Sequence, residues 1–376
     1  MNEVSTQGMP KNDEIEITIL GISDNSGESI VIHVGNGEWV VIDSCKTKDG
    51  KVLPLYYLNE IGVDLNKVVR VACTHLHSDH IGGLSEVLAQ CKQARFAFSL
   101  VGDENTMKYI IAQEKKNASL PNGGTFGEFM KCIRVCKEEN RKCIQIGLDQ
   151  PIYVGNKGQI LGISPSMKMS EIYQYCLIKY NVGNDEPKRM LETNFCSVAS
   201  ILLAGNVNAI LGADLEANRS AEASIEDCIK TCRKREKRGW CNVFDYSQYF
   251  SHNNYDYIKL PHHSSINGYC PKLWANYMSD DAIGTSTIFQ QGRVALPADE
   301  MIKKYSSHCK ELYCTSSLPT LRKDKKGKSK LDEMKGVAMC DMIIVQSEIG
   351  IITSRKSING FDKWKTNTFQ SAIRIK

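Results

Sequence analysis

The sequence predicts a mixed α/β fold in which two β-sheets pack face to face with helices on their outer sides. Three observations carry that expectation. The chain opens on three β-patterned segments in a row, strand-like segments recur through both halves, and helix-patterned segments stand between them without a strict βα alternation.

Residues 14–44 contain EIEITILGI, ESIVIHV and EWVVIDS, separated by the turn-forming SDNSG and GNG, the pattern of an antiparallel meander. KVLPLYYLNEIGV then reads as a helix, VVRVACTH as a β-branched buried strand, and IGGLSEVLAQCKQ as a helix running into the strand ARFAFSL. Between about 103 and 147, ENTMKYIIAQEKK and FGEFMKCIRVCKEEN are polar and amphipathic, as a helical insertion or lid would be. Strand patterns return at QILGIS, SVASILLAG, NAILGAD, YDYIKLP, AIGTSTIFQ, ELYCTS, AMCDMIIVQ and IGIITS, with helices expected near 219–233 and 297–307. A single domain over 1–376 accommodates this, with a core at about 14–290 and a C-terminal extension at about 317–376.

The 376 residues are 42% hydrophobic and 24% charged, enough apolar side chain for a large core and too much for a disordered chain. A net charge of +4 and a pI near 8.2 exclude the field of a dedicated nucleic-acid coat. Two local basic runs remain, RKREKRG at 233–239 and LRKDKKGKSKLDEMK at 321–335; each is a solvated loop first and a contact for an anionic substrate second. The opening residues lack a basic segment followed by an apolar one, and no stretch of about 18 apolar residues occurs, so a cytoplasmic location without membrane contact is expected. The 15 cysteines are odd in number, form no CxxC, and include several inside apolar segments, as reduced thiols would.

Chemistry concentrates in VVRVACTHLHSDHIGG. It places His75, His77, Asp79 and His80 within six residues at a strand exit, although the chain has only 8 histidines. His75 and His77, two apart, point the same way on an extended exit, while Asp79 and His80 follow in the turn into a helix. One side of the strand end can thus serve two adjacent ions, and imidazole with carboxylate suits zinc and also manganese or iron. Far away in sequence, NAILGAD ends in Asp214 and YDYIKLPHHSS reaches His262 and His263. Alone, Asp214 reads as a turn or helix-capping residue. Beside the histidine window it becomes a bridging carboxylate, and one of the HH pair a further imidazole. Asp43, closing EWVVIDS, is the natural carboxylate to orient a ligating histidine.

Asp43, THLHSDHIGG, the strand ending in Asp214, and HHSS stand in the order of the motifs of the metallo-β-lactamase superfamily, which the chain resembles over about residues 14–290. More narrowly, NFCSVASILL, AILGADLE and IKLPHHSS resemble the hydrolase domain of the competence DNA-uptake protein ComEC. The resemblance implies a four-layer αββα sandwich with a helical insertion, and two divalent ions, zinc first. His75 and His77 would hold one ion; Asp79, His80 and His262 or His263 the other; Asp214 would bridge. Among the two adjacent histidines, His262 is favoured as the ligand and His263 as the phosphate contact or proton donor. Asp79 would also hold the nucleophile in line. The chain departs from the superfamily in having no histidine between His80 and His252, so the first site is one imidazole short; Asn194 and Ser197 match the Asn/Ser pattern of the ComEC-like group there. A first site completed by substrate, or a single tightly held ion, would fit.

Two ions roughly 3.5–4 Å apart make water nucleophilic at neutral pH and neutralise charge as an ester breaks, an advantage greatest for phosphodiesters. The leading expectation is therefore a metal-dependent phosphodiesterase or nuclease acting on a phosphodiester or nucleic-acid substrate, with Asn194, Ser197 and Ser264 as substrate contacts. Hydrolysis of another ester, lactone or β-lactam is the alternative, and a non-catalytic metal-binding regulatory module a third. The sequence gives no oligomeric state.

Overall fold

The structure, a computed structural model, describes residues 3–23, 26–99, 124–171, 193–217, 239–251, 254–291, 294–318 and 348–376. The first part of the expected insertion, the helix expected near 219–233, nearly all of the first basic run, the whole of the second, and the strand AMCDMIIVQ lie outside these residues.

The opening meander forms as expected: β1 (Glu14–Ile22), β2 (Glu28–His33) and β3 (Trp39–Ile42). After α1 (Leu53–Glu60) come β4 (Val68–Cys73), α2 (Ser78–Ile81), α3 (Leu84–Gln90) and β5 (Arg95–Ser99). The chain continues through α4 (Thr125–Glu138), β6 (Ile144–Ile146), β7 (Gln150–Val154), β8 (Gln159–Gly162), β9 (Ser200–Ala204) and β10 (Val207–Leu211). Then follow α5 (Trp240–Tyr246), β11 (Tyr255–Lys259), α6 (Pro271–Asn276), β12 (Met278–Ser286) and the small hairpin of β13 (Phe289–Gln291) and β14 (Val294–Leu296). Last are α7 (Asp299–His308), β15 (Glu311–Cys314), β16 (Ile349–Ser357), β17 (Lys365–Gln370) and β18 (Ile373–Arg374).

Among the described residues two eight-stranded sheets result, one ordered β17-β16-β1-β2-β3-β4-β5-β6 and the other β18-β15-β12-β11-β10-β9-β8-β7. Three apolar layers explain the near-continuous hydrophobic strands. Ile15, Ile17 and Ile19 of β1 face the space between the sheets with Leu202, Leu211 and Tyr257 of the second sheet, whereas Leu20 and Ile22 face outward onto the layer containing α1, α3 and α4. On the far side, Ile210 and Ile258 pack with Trp240, Leu273 and Tyr305 of α5, α6 and α7. A strand buried on both faces gains nothing from polar alternation, so it reads as an unbroken apolar run.

Two segments differ from expectation. Phe129, Cys132 and Cys136, spaced three and four apart on α4, are buried in the outer layer of the first sheet, and α4 leads into β6. This helix is part of the helical layer rather than a lid: Lys131, Arg134, Lys137 and Glu138 lie on its outer side, while Glu128 is buried and accepts from the backbone N–H and hydroxyl of Ser85 on α3. The segment expected as a C-terminal extension supplies β16, which pairs with β1 along nine residues from Glu14↔Ser357 to Ile22↔Ile349, and β18, which pairs with β15. Ten cysteines among the described residues are free, while Cys241 is disulfide-bonded, a departure from reduced thiols throughout. Among the described residues no helix is long and apolar enough to cross a membrane.

Strand direction gathers the chemistry on one rim. β3, β4 and β5 run parallel, as do β10, β11, β12 and β15. The exits of β3, β4, β10, β11 and β12 deliver Asp43, His75, Asp214, His263 and Thr287 respectively. β2, antiparallel to β3, starts where β3 ends and brings Glu28 to the same rim.

Candidate metal centre

The exit of β4 continues extended through His77, which precedes the first turn of α2 with φ −118° and ψ 150° and lets Asp79 and His80 turn inward. Asp43, with φ 60°, bends the chain back so that its carboxylate reaches this exit. Its Oδ1 accepts from the Thr74 backbone N–H at 2.7 Å, and its Oδ2 accepts from the Thr74 hydroxyl at 2.7 Å and faces His80 Nδ1 at 2.8 Å. Thr74 Oγ1 is also 2.9 Å from His75 Nδ1. A hydroxyl has one proton, and Thr74 gives it to Asp43; toward His75 it can only accept, so His75 carries its proton on Nδ1. One carboxylate thus sets both rings, His80 directly and His75 through Thr74, and leaves their Nε2 atoms for the rim.

Those atoms converge on Asp214. Its Oδ2 is 3.6 Å from His75 Nε2 and its Oδ1 is 3.4 Å from His80 Nε2. The His75 and His77 rings sit 4.5 Å apart at their centroids, with His75 Nε2 3.1 Å from His77 Nδ1. Asp79 Oδ2 lies 3.0 Å from His263 Nε2 and 3.7 Å from His80 Nε2. Ligand atoms of His75, His77 and Asp214 all lie within 4.8 Å of one another, and so do those of Glu28, His80, Asp214 and His263. Asp214 belongs to both groups.

The backbone under this rim is strained. Five of the nine non-glycine residues with positive φ among the described residues are here: Asp43, Ala213, His262, His263 and Ser264. Such conformations cost energy and persist where the surroundings enforce them. Gly212 permits the Asp214 turn to lie against β11, since a Cβ there would meet the Lys259 carbonyl oxygen at 2.9 Å.

The donor set suits a divalent cation. Burial, helped by the neighbouring His75, lowers the His77 imidazole to about 3, so it is neutral as a ligand must be. Burial would raise the Asp79 and Asp214 carboxyls, yet His80 and His263 hold both below the usual carboxylate range. His80 is the converse: burial lowers it, but Asp214, Asp79 and Asp43 outweigh that and hold it well above its ordinary value. His80 Nε2 and Asp214 Oδ1 are buried, face each other and lack hydrogen-bond geometry. Buried polar atoms without partners are expensive, and a cation between them removes that cost. The residues fit such an ion.

The adjacent histidines exchange the places favoured from sequence. His263 is buried and points into the carboxylate–imidazole group, while His262, with a fifth of its side chain exposed, turns to Asn194 and Glu216. Asn194 Nδ2 donates to Glu216 Oε1 at 3.3 Å and faces His262 Nε2 at 3.2 Å; Glu216 Oε1 is 3.4 Å from His262 Nδ1. The reason is backbone: residues 262–264 form a left-handed turn, not the extended exit that would alternate their side chains. Ser264 and Ser197, expected at the substrate, are buried braces. Ser264 Oγ meets Ser286 Oγ at 2.6 Å, and Ser197 Oγ accepts from the Asp214 backbone N–H at 3.1 Å while lying 3.4 Å from His75 Nδ1. Sequence reasoning missed Thr74, Glu28, Glu216, Lys259 and Thr287. A lysine inside the apolar strand YDYIKLP was the one readable signal among them.

Residues 23–128 match the family model described as the metallo-β-lactamase superfamily, a stretch that includes Asp43 and the HxHxDH window and stops before Asp214 and His263. The two stacked sheets with helices on both outer faces are the αββα sandwich of that fold. A comparison with curated proteins finds no match. Among solved structures, the chain is similar to the metallo-β-lactamase fold protein YhfI from Bacillus subtilis at 12% identity, covering 81% of this chain and 97% of that one with a TM-score of 0.37. It is also similar to the Rm3 metallo-β-lactamase at 11% identity, covering 69% and 81% with a TM-score of 0.32. A third is the dizinc quorum-quenching lactonase AidC at 10% identity, covering 50% and 56% with a TM-score of 0.31.

Proposed function

We propose that this chain is a binuclear metal-dependent hydrolase of phosphodiesters, nucleic acid included, acting in the cytoplasm. The observation that supports it most is the sharing of Asp214 between two adjoining donor groups. His75, His77 and Asp214 would hold one divalent ion, and Asp79, His80, Asp214 and His263 the other, with zinc the first choice for this imidazole–carboxylate set and manganese or iron the others. When bound, such a pair supplies a nucleophilic water at neutral pH and neutralises charge on the breaking ester.

The chain's own residues do the rest. Asp43 orients His80 and, through Thr74, His75. Asp79, against His263, sits where it can align an attacking water. Asn194 and the more exposed His262 form the polar edge at which a substrate oxygen would be received. The phosphodiester reading draws on the resemblance of NFCSVASILL, AILGADLE and IKLPHHSS to the ComEC-type hydrolase domain.

The test is substrate hydrolysis by metal-stripped protein, with and without added zinc or manganese, using a chromogenic phosphodiester, a β-lactam and a lactone side by side. Metal-dependent turnover of the phosphodiester in preference to the others is expected. Preferential β-lactam or lactone turnover would overturn the substrate assignment, and absence of metal uptake would overturn the reading as a whole.

A further inference from the structure

Behind His263 lies a second buried charge system. Lys259, at the end of β11, is fully buried; its ammonium contacts Glu28 Oε1 and donates to the carbonyl of Ala213 at 3.3 Å, one residue before Asp214. Glu28, fully buried on β2 of the opposite sheet, accepts from the Thr287 hydroxyl through Oε2 at 2.7 Å. Thr287 Oγ1 is 2.8 Å from His263 Nδ1. Three segments from two sheets therefore meet at one imidazole.

We propose that Glu28 is a positioning residue, which acts through Thr287 to fix His263 as the Nδ1–H tautomer with its Nε2 lone pair presented to the metal centre, while Lys259 keeps Glu28 out of the ligand set. The inference rests on the proposed function and names a further part of that site. A carboxylate in an ion pair offers only acceptors, so the single Thr287 proton goes to Glu28. Toward His263 the same oxygen can only accept, and the imidazole proton must sit on Nδ1. Thr74 stands in the same relation to Asp43 and His75, so the two sheets carry the same carboxylate–threonine–histidine chain.

Distance alone groups Glu28 with His80, Asp214 and His263 as a ligand. Its bonding says otherwise, since Oε1 is taken by Lys259 and Oε2 by Thr287. A third unpaired carboxylate beside Asp79 and Asp214 would also add like-charge repulsion that the lysine removes. A buried ion pair is weak evidence for stability, because desolvation offsets most of the attraction. Its place here, tied both to His263 and to the Asp214 turn, gives it a use in organising the site.

Nitrogen-15 imidazole spectra of the metal-free protein, with zinc titration as an independent second readout, test the relay. Wild type should show a proton on His263 Nδ1, while Nε2 faces the Asp79 carboxylate at 3.0 Å until metal takes its place. In Glu28→Gln the amide oxygen must face Lys259, so the NH₂ faces Thr287; the hydroxyl then accepts from Gln and donates to His263 Nδ1, which gives up its proton and leaves only that on Nε2. Thr287→Val removes the acceptor and should leave Nδ1 only partly protonated. Both variants should bind the zinc ion held by His263 about 10- to 100-fold more weakly, the usual consequence of losing a partner behind a ligating histidine. Thr287→Ser should restore the wild-type tautomer and affinity. An unchanged Nδ1–H tautomer in both Glu28→Gln and Thr287→Val would overturn the proposal. If wild type bound no zinc, the hydrolase reading would fall, and the imidazole spectra would still decide the relay.

Discussion

Asp43 Oδ2 lies 2.8 Å from His80 Nδ1, and the same oxygen accepts the Thr74 hydroxyl proton that leaves Thr74 free to receive His75. One carboxylate therefore aims an imidazole into each of the two donor groups. Asp43→Ala should weaken zinc binding in both groups, by about 10- to 100-fold each, because partners behind a ligating histidine set its tautomer and direction. Thr74→Val should weaken chiefly the group containing His75. Zinc stoichiometry by elemental analysis after dialysis against a weak chelator reads the difference, and equal losses in the two variants would contradict the division.

Asp214 is the residue common to both groups. Asp214→Ala should reduce bound metal toward zero, whereas His75→Ala should leave close to one equivalent, held by Asp79, His80, Asp214 and His263. Full metal content and undiminished hydrolysis in Asp214→Ala would make it a plain structural turn residue.

The convergence of His75, His77, Asp79 and His80 at the β4 exit was legible because the HxHxDH spacing is local: a strand exit followed by one helical turn converts sequence separation directly into direction. Glu28, Thr287 and Lys259 were not legible, because their roles arise only when β2 of one sheet meets β11 and β12 of the other. His262 and His263 were assigned by extended-strand alternation, a rule that three consecutive left-handed residues cancel. The fold was readable from the density of apolar strands in both halves. The place of α4 was less so, because its buried stripe of Phe129, Cys132 and Cys136 sits among charged residues that lower the apparent hydrophobicity of the segment.

Protonation should set the pH dependence of metal uptake. In the metal-free chain, His80 is held above its ordinary value of 6.5 because Asp214, Asp79 and Asp43 outweigh the effect of burial. A raised folded-state value contributes stability that is complete below the unfolded value and is lost as pH rises through the folded one. Asp214, raised by burial but lowered further by His80 and His263, contributes stability above 3.8 that is lost as pH falls through its depressed value. Zinc must displace the His80 proton, so its apparent affinity should rise with pH up to the folded value of His80, with proton release on binding. Thermal unfolding should accordingly show the metal-free protein losing stability on the alkaline side while the zinc-loaded protein does not. A zinc affinity independent of pH across the neutral range would show that His80 is not displaced.

His262 and His263 give the sharpest contrast, because adjacent imidazoles stand in different chemical surroundings. His263 is buried with Nε2 3.0 Å from Asp79 Oδ2, inside the donor group; His262 is partly exposed with Nε2 3.2 Å from Asn194 Nδ2, at the edge. Burial lowers His262 to about 4, so near neutral pH it is an uncharged ring able to accept from Asn194 and meet a substrate oxygen rather than repel a cation. His263→Ala should lower bound metal and turnover together. His262→Ala should retain metal and lower turnover of a phosphodiester by about 10² to 10⁴, the range for a lost acid–base group. Parallel metal analysis and steady-state kinetics separate the two. Equal metal loss in both variants would return His262 to the ligand set and supply the first group with the third imidazole that its sequence lacks; metal loss in His262→Ala alone would restore the order that an extended strand exit favours.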